Sequence, residues 1–189
     1  MLDIAVKEPF STKFFQERAY DAGGPMRDVI SDLCNELMSE TLPLLRPTAN
    51  NQSNLEPETE CFQLNERTKE SLNLLKYSFL GYLMGWSLLS FGSLNLDLPS
   101  AFWARLAGGL SYVYSLEDVR SQDILLASSL ERISTGSLSL SEEEFTTAFS
   151  DQVFVLNASQ EGQVVELCPG GSTRFLTKQN AAEYVTLYL

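Results

Sequence analysis

The feature that most constrains the fold is a change in the spacing of apolar residues near position 150. Before it, apolar side chains recur every three or four residues, a spacing typical of amphipathic helices. After it, two β-rich runs at residues 153–156 and 164–167 flank a polar loop, which predicts a β-hairpin. A chain that is helical first and mixed afterwards is predicted to have an α+β fold.

The first predicted helix begins at Pro25, after a glycine turn at residues 21–25 that follows an extended segment, residues 13–20. The glycines permit backbone angles closed to other residues, and proline suits a first helical position. The helix should end near residues 42–43, since proline disfavours helix in the residue before it. No GxGxxG or GxxxxGK[ST] pattern is present, so the turn is interpreted as structural rather than as a phosphate site.

The long apolar run at residues 77–91 belongs to a second predicted helix, residues 68–90. The run is well short of the roughly 20 apolar residues that span a bilayer, so it is interpreted as a buried helix rather than a membrane segment. The side chains expected to pack in the core are Leu72, Leu75, Phe79, Leu83 and Trp86.

A loop, a short strand and a third helix are predicted from composition and turn residues. Residues 46–57, rich in Asn, Pro, Ser and Thr, are expected to form a long exposed loop, followed by a short strand at 61–64. A third helix should open at Pro99, carry the stripe Phe102, Trp103 and Leu106, and stop at glycines 108–109.

The later helices carry clearer end signals. A short segment begins at Leu116, and residues 123–133 form a helix with Leu126, Leu130 and Ile133 on one face, followed by a Ser-rich turn at 134–139. Ser141 and Glu144 fit a capping box. Pro169 and two glycines form a second turn, and Thr177 is expected to cap a last helix that contains Ala181, Tyr184, Val185 and Tyr188.

Composition excludes several functions. A net charge of -12 and a pI near 4.4 argue against nucleic-acid binding, and the absence of histidine removes the commonest general base and metal ligand. No catalytic, metal or cofactor-binding residue is predicted. Three cysteines without CxxC spacing indicate a reducing compartment, cytoplasmic or nuclear.

Six separated segments resemble, in order, the N-lobe of the HECT ubiquitin-ligase domain. The similar positions are Phe15 with Glu17 and residues 21–28, Phe79 to Gly85, Pro99 to Leu106, Leu116 to Leu130, Val165 to Gly171, and Asn180 to Leu187. Gln16 departs from the family, which commonly has glycine there. The resemblance covers nearly the whole chain, with residues 1–112 as part of a larger subdomain and 113–189 as a smaller one.

The resemblance implies a mechanism with two lobes. The N-lobe docks a ubiquitin-charged conjugating enzyme, and a cysteine in a C-lobe takes the ubiquitin before passing it to a substrate. The implied docking residues are Leu126, Ser129, Leu130, Ile133 and Tyr184. The C-lobe is expected to be missing from this chain, which is therefore predicted to be inactive alone.

The sequence leaves alternative interpretations of these residues and of the chain's function open. Leu126 and Leu130 also fit an ordinary core, and the chain could instead be a non-enzymatic protein-interaction module. None of the three cysteines has a context that favours the thiolate, apart from Arg174 near Cys168. Self-association through apolar surface exposed by the missing helices is a further expectation.

Overall fold

The computed structural model describes residues 24–39, 41–42, 44–65, 71–90, 93–157 and 164–189. The glycine turn at 21–25 and the extended segment at 13–20 lie almost entirely outside the described residues. The elements up to residue 108 are α1 (Gly24–Leu37), β1 (Leu45–Pro47), α2 (Ala49–Ser53), β2 (Phe62–Leu64), α3 (Ser71–Ser90) and α4 (Ser100–Gly108).

The remaining elements include the predicted hairpin. They are α5 (Leu116–Gln122), α6 (Ile124–Ser139), α7 (Glu142–Ala148), β3 (Val155–Asn157), β4 (Val164–Glu166) and α8 (Ala181–Tyr188), with short 3₁₀ turns at Gly109–Ser111 and Gly171–Thr173. β1 pairs with β2 and β3 with β4, both antiparallel. Helices with two small antiparallel ribbons confirm the α+β prediction.

A first apolar cluster holds α1 and α3 together. Its buried members are Ile30, Cys34, Leu37, Leu44, Leu45, Leu80, Leu96 and Leu98. The hydroxyl of Tyr77 on α3 lies 2.7 Å from the carbonyl oxygen of Leu44 and 3.1 Å from that of Asn65, which ties α3 to the chain on either side of the first ribbon.

α1 ends earlier than its sequence predicted. The last helical residue is Leu37, not a residue near 42–43. The Ser39 amide bonds to the carbonyl oxygen of Glu36, and the Ser39 hydroxyl donates to the same oxygen at 2.7 Å. Ser39 therefore supplies hydrogen bonds to a carbonyl group at the end of the helix, and α1 ends before it reaches the proline.

The prediction of a long exposed loop at residues 46–57 is also wrong. The segment contains the end of β1 and the whole of α2, because Thr48 caps α2 by accepting a hydrogen bond from the Asn51 amide at 3.1 Å. Asn54 closes the helix in the left-handed conformation. Asn50 is 1% exposed, so a polar composition here belongs to a packed turn of helix and not to a mobile loop.

α3 is not the buried helix that its apolar run suggested. Leu80, Leu83 and Ser87 are buried, whereas Leu75 and Phe79 are mostly exposed. Of the predicted core residues, Leu83 is buried and Trp86 packs at the edge of the first cluster. The Leu72 side chain lies outside the described residues.

α4 starts after Pro99 and ends at Gly108, as predicted. Its apolar stripe differs, because Ala101 is the buried residue while Leu106 is 57% exposed and Trp103 is partly exposed. Phe102 packs against the first cluster and meets the Trp103 ring edge to face.

The second apolar cluster lies among α6, α8 and the hairpin. Its buried members are Leu130, Ile133, Phe145, Phe154, Leu176, Ala181 and Tyr184. α6 continues to Ser139, so the predicted Ser-rich turn at 134–139 is wrong. The hydroxyls of Ser137 and Ser139 donate to the carbonyl oxygens of Ser134 and Thr135, at 2.7 and 2.9 Å, and therefore do not break the helix.

The turn after β4 depends on two adjacent glycines. Gly170 has a φ of 76°, which L side chains rarely adopt. A Cβ on Gly171 would lie 2.2 Å from the carbonyl oxygen of Phe154, so only glycine fits. The Glu166 carboxylate accepts hydrogen bonds from the amides of Gly170 and Ser172 and holds the turn closed.

The predicted capping box of α7 is confirmed, with Ser141 and Glu144 bonding to each other's backbone amides. α8 begins differently, because its N-cap is Asn180 and not Thr177. Thr177 and Asn180 exchange side-chain to backbone hydrogen bonds around the turn that precedes the helix.

Of the helices described, none is long and apolar enough to cross a membrane.

Asn50 links the two clusters. Its side-chain amide donates to the carbonyl oxygens of Pro57 and Arg120, each at 2.9 Å, and its oxygen accepts from the Ile124 amide at 2.8 Å. With the side chains packed against them, the first cluster uses residues 30–102 and the second uses residues 116–188. The subdomain boundary at residues 112–113 remains a prediction.

Candidate docking site

The start of α6 is fixed by two side-chain hydrogen bonds to its backbone. Asp123 caps the helix by accepting from the Leu126 amide at 2.9 Å, and Asn50 accepts from the Ile124 amide. α5 precedes it with a capping box formed by Ser115 and Asp118. Because the backbone amides at the start of α6 have hydrogen-bond partners, the helix has little freedom to change its direction.

Asp118 also anchors the chain before α5. The Tyr112 hydroxyl donates to its carboxylate at 2.6 Å. Burial raises the pKa of Asp118, but hydrogen bonds from Tyr112 and Ser115 favour the carboxylate more strongly and lower its pKa overall. Asp118 therefore carries its charge in the folded chain as a structural acceptor.

α6 turns its apolar face towards α8. Ala127, Leu130 and Ile133 are at most 4% exposed, and they lie in one row at intervals of three residues. Ala181 and Tyr184 are the buried residues of α8. The row and these two side chains belong to the same packed interface, which sets the distance between the helices.

Tyr184 lies at the centre of an aromatic group. Its ring meets Phe154 edge to face at a centroid distance of 5.1 Å and lies at the same distance from Tyr188. Burial, and then the neighbouring Tyr188 hydroxyl, raise the pKa of Tyr184 well above its usual value. The Tyr188 hydroxyl donates to the carbonyl oxygen of Val155 at 2.8 Å.

The structure brings most of the sequence-predicted docking residues together but buries them. Leu130, Ile133 and Tyr184 are 1%, 4% and 3% exposed, and Leu126 is half-buried beside them. Ser129 alone is exposed, and its hydroxyl donates to the Leu125 carbonyl oxygen. As placed here, the three buried side chains form core, and only Leu126 and Ser129 offer atoms to a partner.

Leu125 is a candidate contact residue that the sequence reasoning missed. It is 64% exposed and lies one helical turn before Ser129, on the same face of α6. The signal was present, because Leu125 falls outside the stripe of Leu126, Leu130 and Ile133 and is thus an apolar residue on the solvent side.

A sequence model of the HECT-domain (ubiquitin-transferase) family matches residues 31–189. This chain belongs to the HECT-domain family. The E3 ubiquitin-protein ligase HERC2 of Mus musculus is 30% identical over 182 residues, and that of Homo sapiens is 29% identical over the same length. Each alignment covers 94% of this chain, which spans only about 4% of the length of those relatives.

In this HECT chain, a polar group lies beside the aromatic core of the candidate site. Arg174 makes two hydrogen bonds of 2.7 Å to the carboxylate of Glu183 on α8. Its guanidinium carbon lies 4.2 Å from the centre of the Phe154 ring, a cation–π arrangement. The hydrogen bond from Arg174 lowers the pKa of Glu183, so this pair stays charged at neutral pH.

The three cysteines are free and lie in different surroundings. Cys34 is buried in the first cluster, and burial raises its pKa. Burial, followed by the charges of Glu58 and Asp97, raises the pKa of Cys61 to about 11. Cys168 is partly exposed, and Arg174 approaches its sulfur at 3.7 Å.

The acidic residues offer no assembled centre in the described parts of the chain. Within those residues, no group of three or more His, Cys, Asp or Glu side chains could hold a metal ion. The three glutamates that open α7 are exposed. Hydrogen bonds from Ser141 lower the pKa of Glu144, which fits its capping role better than proton donation.

Proposed function

We propose that this chain is the N-lobe segment of a HECT ubiquitin transferase and that it docks a ubiquitin-charged conjugating enzyme. The membership in the HECT-domain family supports the transferase class. The observation that supports docking is the outer face of α6, where Leu125 and Ser129 are exposed directly above a rigid core. An exposed leucine on a firmly packed helix is a suitable contact for an apolar side chain of a partner.

The five docking residues carried by the family resemblance then divide into two roles. Leu126 and Ser129, with Leu125, would contact the conjugating enzyme. Leu130 and Ile133, together with Tyr184, would form the floor beneath them and set the position of α6 against α8. Ubiquitin would be met indirectly, as the cargo of the bound enzyme.

The thioester acceptor is proposed to be a C-lobe cysteine outside this segment. Cys34 is 1% exposed, and a pKa of about 11 leaves Cys61 almost entirely protonated at neutral pH. A thiol that is buried or protonated is a poor nucleophile. These surroundings support a docking role for the segment and not a role as the ubiquitin acceptor.

The test compares two exposed leucines of the same helix. Leu125→Glu should weaken binding of conjugating enzymes by at least about tenfold in calorimetry, because a charge replaces a central apolar contact. Leu138→Glu is the matched control, since Leu138 is 86% exposed and lies on another face of α6. Both variants should keep the circular dichroism spectrum of the unmodified chain.

The same experiment separates docking from a non-enzymatic interaction role. A panel of conjugating enzymes is titrated into the unmodified chain before the variants are compared. Binding of several members that is lost in Leu125→Glu and kept in Leu138→Glu supports the proposal. Equal binding by both variants, or no binding by any conjugating enzyme, contradicts it.

A further inference from the structure

Arg132 extends the proposed contact face of α6. It lies seven residues after Leu125, and Ser129 lies four residues after Leu125. Since seven residues make almost two helical turns, the three side chains form one row along the outer side of α6, about 10 Å long. All three residues are exposed. The row therefore begins with an apolar side chain and ends with a positive charge.

No acidic neighbour on α6 neutralises Arg132. The residues three and four positions away on the helix are Ser128, Ser129, Thr135 and Gly136, and none of them is acidic. In the part of the chain that the structure describes, Arg132 makes no ion pair. Its charge is thus available to a partner.

Glu131, the acidic residue next to Arg132 in the sequence, is already paired. Its carboxylate lies 3.0 Å from the guanidinium of Arg120 on α5, and Arg120 also lies 3.3 Å from Glu117. Adjacent residues on a helix point in directions about 100° apart, so Glu131 does not face the row. The pair with Arg120 therefore leaves the charge of Arg132 uncompensated.

Charge complementarity identifies the group that Arg132 can receive. The chain has 13 basic and 25 acidic residues, so most of its surface repels carboxylates. An unpaired arginine beside an exposed leucine is an exception to this general charge. A guanidinium binds a carboxylate through two parallel hydrogen bonds, which an ammonium group cannot reproduce. The matching partner surface has an apolar side chain and, about 10 Å away, an aspartate or glutamate.

We propose that Arg132 is a specificity-determining residue of the docking face and that it pairs with an aspartate or glutamate of the bound conjugating enzyme. The inference rests on the proposed docking function of α6. An exposed charge at the edge of an interface adds modestly to affinity, but it strongly affects which partner is accepted. Conjugating enzymes with lysine or arginine at the facing position are rejected by repulsion.

The test compares a panel of conjugating enzymes in calorimetric titrations of the unmodified chain, Arg132→Gln and Arg132→Glu. For the enzymes that the unmodified chain prefers, Arg132→Gln should weaken binding about threefold and Arg132→Glu about tenfold. Both losses should shrink when the salt concentration rises from about 0.05 M to about 0.5 M. Circular dichroism checks that each variant is folded.

Arg27→Glu is the matched control. Arg27 is an exposed arginine on α1, outside the row, and the variant changes the net charge by the same amount as Arg132→Glu. Binding of the same enzymes should stay within about twofold of the unmodified chain, because a distant exposed charge is largely screened. A loss equal to that of Arg132→Glu overturns the proposal, since net charge alone then explains the effect.

A charge exchange identifies the paired carboxylate. Each exposed aspartate or glutamate on the docking surface of one preferred enzyme is changed to lysine. One of these variants should bind Arg132→Glu at least about fivefold more tightly than the unmodified enzyme does, because the exchange restores an attractive pair. If no exchange restores binding, the proposed pair does not exist.

The outcomes separate this inference from the docking proposal on which it rests. Unchanged affinities in Arg132→Glu, together with lost binding in Leu125→Glu, overturn the role of Arg132 and leave docking intact. An unmodified chain that binds no conjugating enzyme overturns both. Weaker binding in Arg132→Glu with restored binding after one charge exchange supports the proposed pair.

Discussion

The ring of Tyr184 meets the ring of Phe154 edge to face, with planes at 85° and centroids 5.1 Å apart. Tyr184 belongs to α8, and Phe154 directly precedes β3, so this contact fastens the last helix to the hairpin. Both side chains are at most 3% exposed. Tyr184 therefore has little exposed surface of its own, and its contact with Phe154 helps to set the position of α8.

Tyr184→Ala is expected to destabilise the chain by about 3–5 kcal/mol, because it empties a large buried site and removes the aromatic pair. Urea unfolding followed by tryptophan fluorescence and circular dichroism measures this loss. Tyr184→Phe keeps the ring and should cost only about 1 kcal/mol. If Tyr184→Ala unfolds at the same urea concentration as the unmodified chain, the ring is not part of the core. By the same reasoning, Tyr184→Glu would lose partner binding through unfolding.

The second cluster was well predicted from sequence because its helix has a narrow apolar stripe. Leu126, Leu130 and Ile133 recur at helical spacing, and all three pack on the inner side of α6. α3 was harder, since its apolar residues surround the helix and no period distinguishes the core side from the exposed side. Only the tertiary contacts made by Leu80 and Leu83 decide it.

The prediction of a loop at residues 46–57 failed for a different reason. Its composition resembles that of a loop, but Asn50 reaches hydrogen-bond partners up to 74 residues away in the sequence. Contacts at such separation leave no local signal. The candidate site shows the same limit. The family resemblance implied docking roles for Ile133 and Tyr184, whereas their burial follows from a cluster that also contains Phe154 and Leu176.

Asn50→Ala tests the connection between the clusters. The change leaves the Ile124 amide and the carbonyl groups of Pro57 and Arg120 without their side-chain partner in a buried place. We expect a loss of about 2–4 kcal/mol in the free energy of unfolding. Gln52→Ala, an exposed position of the same helix, should cost less than about 0.5 kcal/mol. Equal stabilities for the two variants in urea titrations would contradict a linking role for Asn50.

Adjacent glycines in the turn after β4 should respond differently to alanine. Gly171→Ala forces a methyl group towards the Phe154 carbonyl oxygen, so we expect a loss of about 3 kcal/mol. Gly170→Ala meets open space and pays only for its positive φ, about 1 kcal/mol. Thermal and urea unfolding of both variants measures the order. A larger loss at Gly170 would show that backbone angle, and not close approach, governs the turn.

Acid should weaken the same turn through Glu166. Hydrogen bonds from Ser172, and then from Gly170, lower the pKa of this exposed carboxylate below its ordinary value of 4.5. Its stabilising contribution is therefore complete above about pH 4.5 and is lost as the pH falls through the lower folded-state pKa.

Urea unfolding between about pH 6 and about pH 3 measures the acid loss. Glu166→Gln should reduce the pH dependence, because the amide does not titrate. Glu143→Gln, an exposed position on α7, is the control and should keep the slope of the unmodified chain. If Glu166→Gln and the unmodified chain lose stability in parallel on the acid side, the turn does not depend on the Glu166 charge.

The chain should form no thiol-sensitive ubiquitin adduct when it is mixed with charged conjugating enzymes. Cys34 is buried, and a pKa of about 11 leaves on the order of one Cys61 in ten thousand as thiolate at neutral pH. Cys168 is the strongest remaining candidate, but the Arg174 guanidinium beside it is already paired with Glu183. Non-reducing gels of the unmodified chain and of Cys168→Ser provide the measurement. A ubiquitin band that disappears with reductant and is absent in Cys168→Ser would make Cys168 an acceptor.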